Sequence, residues 1–122
     1  MSEEVFFFDT YAFFEIINGN PKYQKYQDVL AVTTIFNLAE LNYGLKKEKD
    51  AKAVDAITKK YVPFLVEVKI EDIEKAMDLK TKQRKLSIPD VIGYTIAKKY
   101  NIKFLTGDEG FKDFPGVEFV KK

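Results

Sequence analysis

Three features of this 122-residue chain predict an α/β fold with a mostly parallel central sheet of about five strands and helices on both faces. The first apolar run, Val5-Phe6-Phe7-Phe8, is short and unbroken, as a strand buried on both faces requires. A similar run, Lys103-Phe104-Leu105-Thr106, lies near the other end. Between them, helically spaced segments alternate with short β-prone runs, the pattern of a parallel sheet built through crossover helices.

Each element has its own local signal. Asp9 and Thr10 open a helix that runs to about Asn18 and is ended by Gly19-Asn20-Pro21. A second, weaker helix covers Lys22 to Gln27, and Leu30-Ala31-Val32-Thr33 reads as the next strand. Thr34 caps a helix from Ile35 to about Leu45, whose apolar arc is expected from Ile35, Leu38, Ala39 and Leu45. Asp50 to Tyr61 fits another helix, stopped before Pro63, and Phe64 to Val68 reads as a strand. Ile70 to Leu86 repeats apolar residues at helical spacing through Ile73, Ala76 and Met77. Pro89 suits the first turn of a helix reaching Tyr100. Lys103 to Thr106 and Val117 to Val120 complete the strands. No repeat or linker interrupts residues 1–122, so one domain is expected.

Composition narrows the chemistry. At 46% hydrophobic and 15% aromatic residues the chain can build an ordinary core. It has no cysteine and no histidine. That removes thiolate and imidazole metal sites and every histidine-based catalytic arrangement. A metal here must be held by oxygen, which favours Mg²⁺ or Mn²⁺. No apolar stretch approaches the ~20 residues of a membrane span. Glu3 and Glu4 precede the first apolar run, the wrong polarity for a secretory signal. A soluble cytoplasmic protein is the expectation. Arg84 is the only arginine, all other cations being lysine, a bias shared by heat-stable proteins and AT-rich genomes.

Four carboxylates fall where such a fold gathers ligands, beyond the carboxyl ends of its strands. Asp9 closes the first strand and Asp108 follows Thr106-Gly107; Glu40 and Asp90 lie on helices between them. Each has a structural explanation alone: Asp9 as a helix cap, Asp108 as a turn residue, Asp90 in a helix's first turn, Glu40 on a surface. The helical wheel sets Asp90 between Ala97 and Tyr94, with Thr95 and Lys99 on a side expected to be solvated. A carboxylate on an apolar face needs a partner, and a like-charged group needs a cation. Glu15 and Asp113 are secondary candidates at the rim.

These residues resemble the PIN-domain family, small metal-dependent nucleases that include the VapC-type toxins of bacterial and archaeal toxin–antitoxin pairs. The likeness covers nearly the whole chain in order. Phe8-Asp9-Thr10, Val32-Thr33-Thr34-Ile35 through Leu38-Ala39-Glu40-Leu41, Ile88-Pro89-Asp90-Val91-Ile92 through Ala97, and Leu105-Thr106-Gly107-Asp108 with Phe111 look like its four motifs. One departure is Gly110, where the family often carries an acid.

The resemblance implies an endoribonuclease toxin with Asp9, Glu40, Asp90 and Asp108 as catalytic acids. Asp9, Asp90 and Asp108 would hold Mg²⁺ or Mn²⁺, with Thr10 and Thr106 supporting the carboxylates or their waters. Expected partners are an RNA substrate, a small VapB-like antitoxin and a second copy of the chain. The basic run Lys80, Lys82, Arg84 and Lys85 offers contacts to an RNA backbone, and Lys46, Lys47 and Lys49 form another such cluster. Phe13, Phe14, Phe36 and Tyr43 are available to a partner peptide or to bases, unless they pack in the core. Two other readings are an interaction module that keeps the fold without activity and a phosphotransfer or phosphatase protein. Asp9-Thr10-Tyr11 lacks the second acid that both kinds of phosphotransfer site use.

Overall fold

A computed structural model describes residues 4–122, so Glu3 of the N-terminal acidic pair lies outside it. Four strands form one fully parallel sheet: β1 (Val5–Phe8), β2 (Leu30–Val32), β3 (Lys103–Thr106) and β4 (Val117–Phe119). Their order is β2-β1-β3-β4. Five α-helices surround them: α1 (Thr10–Ile17), α2 (Ile35–Lys46), α3 (Ala51–Tyr61), α4 (Ile70–Lys82) and α5 (Ile88–Lys99). The expected weak helix after Asn20 is a 3-10 helix, Pro21–Tyr26.

The unbroken apolar run of β1 is explained by burial on both faces. Phe6, Phe8 and Leu105 join Phe13 and Leu41 in one core under α1, α2 and α3. Phe7 and Phe104 point the opposite way and stack with ring centroids 5.5 Å apart in a second core under α4 and α5. Strand alternation puts successive residues on opposite faces, so a strand covered on both must be apolar throughout. Each fully buried phenylalanine contributes about 1.5–3 kcal/mol of transfer free energy. Close packing also explains Gly93 on α5. A Cβ there would come within 2.7 Å of the Phe7 ring, so only glycine lets α5 lie this near β1.

Four expectations are corrected. Phe64 to Val68 is not a strand. Pro63 sits in a 3-10 turn, Val62–Phe64, and only Leu65 bridges, to Thr33. The buried arc of α2 is Asn37, Leu38, Leu41 and Leu45, whereas Ile35 and Ala39 are exposed. The Thr95 and Lys99 side of α5 is only partly open to solvent, Lys99 being exposed. The helix α4 covers it, Thr95 is buried, and Lys99 pairs with Asp72 of α4 at 3.2 Å. Helix α4 also ends at Lys82, short of Leu86. No helix among the described residues is long and apolar enough to cross a membrane.

Candidate metal and active centre

The order of strands reverses between β1 and β3, which are hydrogen-bonded neighbours at the middle of the sheet. Asp9 leaves the end of β1 and Asp108 lies two residues beyond β3, so both stand at the switch point where open α/β sheets bind ligands. Local chemistry holds each acid in place. Asp9 caps α1, its Oδ1 accepting the Ala12 N–H at 2.8 Å. Asp108 caps the 3-10 helix Glu109–Phe111, its Oδ1 accepting the Gly110 N–H at 2.9 Å. Asp90 and Ser87 form a capping box at the start of α5: Asp90 Oδ2 accepts the Ser87 N–H at 2.9 Å, and Ser87 Oγ accepts the Asp90 N–H at 3.1 Å. The structural roles are therefore real. In these bonds, each cap commits one carboxylate oxygen.

Electrostatics separates Asp9 and Asp90 from ordinary caps. Asp9 is 1% exposed. Burial, with the Asp90 and Asp108 charges adding to it, holds its carboxyl well above the usual range, and the Thr106 side chain and Ala12 N–H only partly offset this. Asp90 is pushed up to about 6 by burial first, then by the charges of Glu40 and Asp108, against the opposing Ser87 hydrogen bonds. Each acid thus feels at least one of the others. Among the described residues, no lysine or arginine comes within ion-pair distance of Asp9, Glu40, Asp90 or Asp108.

Such a group of carboxylates, all oxygen donors and without protein cations, fits a hard divalent metal. No three acids among the described residues converge to ligating distance.

The sequence of the PIN domain family matches residues 6–117. This chain belongs to the PIN domain family. Solved structures share the fold of this PIN domain across nearly its whole length. A toxin–antitoxin complex from Klebsiella pneumoniae is similar at a TM-score of 0.73 and 20% identity, with 95% of this chain and 98% of that one covered. The Mycobacterium tuberculosis toxin VapC20, described as cleaving the sarcin-ricin loop, superposes at 0.77 with 18% identity and coverage of 96% and 99%. VapBC2 from Rickettsia felis, bound to a promoter DNA fragment, gives 0.70 at 18% identity, covering 97% and 98%. No curated protein matches the chain by sequence.

Within this PIN domain the supporting residues differ from expectation in detail. Thr106 is fully buried, and its hydroxyl accepts the Asp108 N–H at 3.0 Å while lying at Asp9. Thr10 donates to the Asn37 carbonyl at 3.4 Å, a tie between α1 and α2. Glu40 is half-buried on α2, one turn beyond Asn37. Glu15 is buried and accepts from Asn20 Nδ2 at 2.8 Å, while Asp113 is exposed. Phe13 is core, Tyr43 is 66% exposed, and Lys47 lies over the Tyr43 ring at 4.5 Å.

Sequence reasoning missed Asn37. It is fully buried, its Oδ1 accepts from Thr34 Oγ1 at 2.7 Å, and its Nδ2 donates to the Pro89 carbonyl at 3.4 Å. That side chain joins the Glu40 helix to the residue before Asp90. The available signal was a polar residue at i−3 from Glu40. Thr33 was missed as well: its hydroxyl donates to the Phe8 carbonyl at 3.1 Å and ties β2 to the strand end before Asp9.

Proposed function

We propose that this PIN domain is a Mg²⁺- or Mn²⁺-dependent endoribonuclease and the toxin of a VapBC-type toxin–antitoxin pair. The observation that carries this reading is the Asp9 carboxylate: buried, beside two other acids, and without a protein cation. Family membership supports nuclease chemistry, and the toxins among its structural neighbours support the biological role.

Asp9, Asp90 and Asp108 would hold the metal. When bound, a divalent cation supplies Lewis-acid activation of the phosphodiester and of the attacking water. The chain's own groups do the rest. Thr106 fixes the strand end that carries Asp108 and lies beside Asp9. Glu40 and Asp108, both partly open to solvent, would accept a proton from water. Asn37 keeps the helices bearing Glu40 and Asp90 in mutual register.

A small VapB-like protein is the proposed inhibitor and a second copy of the chain the proposed dimer partner, both by likeness to the family. Light scattering of the purified chain alone, then with the product of the adjacent gene, reads both associations. Incubating the protein with cellular RNA and either cation, against an EDTA control, tests the activity. Discrete cation-dependent fragments are the expected result. RNA left intact with both cations at high protein concentration would overturn the assignment.

A further inference from the structure

We propose that the loop between α4 and α5 forms an anion subsite that grips a phosphate of the RNA strand beside the cleaved one. The proposal rests on the ribonuclease reading and deepens it.

A concavity of about 460 Å³ opens there, lined by Lys82, Gln83, Arg84, Lys85, Leu86 and Gly110. Lys82, Arg84 and Lys85 are exposed, and none has an acidic partner within ion-pair distance among the described residues. Three uncompensated cations around one hollow attract a phosphate backbone, and in a chain of net charge +1 that attraction must be local.

Two further observations turn this basic loop into a built site. The first is Lys80, which is half-buried and does not belong with the contacting cations. Its Nζ donates to the Arg84 carbonyl at 2.9 Å and to the Leu86 carbonyl at 2.7 Å. One ammonium therefore closes the loop and holds Lys82, Arg84 and Lys85 on a fixed backbone, which lowers the entropy lost on binding. Lys80 is a positioning residue.

The second is Gly110. A Cβ at this position would lie 2.7 Å from Leu86 Cδ2 and 3.3 Å from Asp108 Oδ1. The hollow thus shares a wall with the catalytic group, and glycine keeps that wall bare. An acid here would fill the passage and set a negative charge before the lysines.

The test is fluorescence anisotropy of a short labelled single-stranded RNA in EDTA across a salt series. For the combined Lys82→Ala, Arg84→Ala and Lys85→Ala variant, the slope of log affinity against log salt should become shallower by about 0.7 per lost contact, about 2 in all. Mn²⁺ affinity by calorimetry should stay unchanged. Lys80→Met should weaken RNA binding yet keep the wild-type slope, because the contacting cations remain. Gly110→Asp should weaken RNA binding, and Arg84→Glu, at an exposed position, does the same without crowding Leu86.

An unchanged slope in the combined variant, with wild-type protein still cleaving RNA, would overturn the subsite alone. Stronger Mn²⁺ binding and cleavage by Gly110→Asp would also overturn it. Absence of cleavage by the wild type would instead remove the parent reading.

Discussion

The Thr106 hydroxyl accepts the Asp108 N–H at 3.0 Å, and the same side chain lies beside the Asp9 carboxyl, where it favours the charged form. One buried hydroxyl therefore sits between the acids that emerge from the ends of β1 and β3. Thr106→Val keeps the shape and removes the hydroxyl. Leaving the Asp108 N–H without its partner is expected to cost about 1–3 kcal/mol in urea unfolding. Mn²⁺ affinity should fall about 10- to 100-fold, as when the supports of metal ligands are removed. Thr106→Ser should retain most of both. Equal behaviour of the Val and Ser variants would show that the hydroxyl does not position the acids.

Asp9 is held in a state that folding alone does not favour. Asp9→Asn keeps a side chain able to cap α1 and removes a buried charge with no cationic partner. Without metal, the variant should be more stable by about 1–3 kcal/mol, with a melting temperature several degrees higher. A decrease in metal-free stability would show that the carboxylate serves the fold rather than the site.

The acids also set how metal-free stability depends on pH. Asp90 has its folded pKa raised from an ordinary 3.8 to about 6, so the folded state holds a proton that the unfolded chain releases. The resulting contribution is present in full below about pH 4 and is lost as pH rises through about 6, on the order of 3 kcal/mol. Asp9, also raised, acts in the same direction. Comparing wild type with Asp90→Asn in EDTA isolates the effect: the variant should gain stability relative to wild type as pH rises from 4 to 7. Adding Mn²⁺ should reverse that ranking at pH 7, because only the wild type has the full ligand set. A constant difference across that range without metal would contradict the shifted pKa.

Asn37 links three helices through Thr34, Pro89 and Thr10. Asn37→Leu deletes the tie to Pro89 and leaves the Thr34 hydroxyl without its acceptor. An unfolding cost of about 2 kcal/mol is expected. Cleavage should fall by more than the unfolded fraction explains, since Glu40 and Asp90 lose their common anchor. Activity in proportion to folded protein would reduce Asn37 to a core residue.

The sheet and two of its acids were legible because β1 and β3 are buried on both faces, which forces unbroken apolar runs and leaves Asp9 and Asp108 marking their ends. The place of Asp90 was legible through Pro89, which sets it in the first turn of α5, but its capping box with Ser87 was not read. What escaped reading depends on neighbours distant in sequence. A wheel drawn for α5 cannot show that α4 will cover Thr95 and pair its Asp72 with Lys99. A wheel for α2 placed Ile35 and Ala39 inside, because it scored Asn37 as polar before the hydroxyls and carbonyl that satisfy it were known. Lys80 looked like its neighbours in a basic run until two backbone carbonyls claimed its charge.

The most direct test of the metal-dependent nuclease claim is RNA cleavage followed through a Mn²⁺ titration, with wild type and Asp9→Asn prepared side by side. Cleavage that rises with Mn²⁺ in the wild type and stays at background in the variant is predicted. Equal cation-dependent cleavage by both proteins would place the activity outside this carboxylate group and contradict the account.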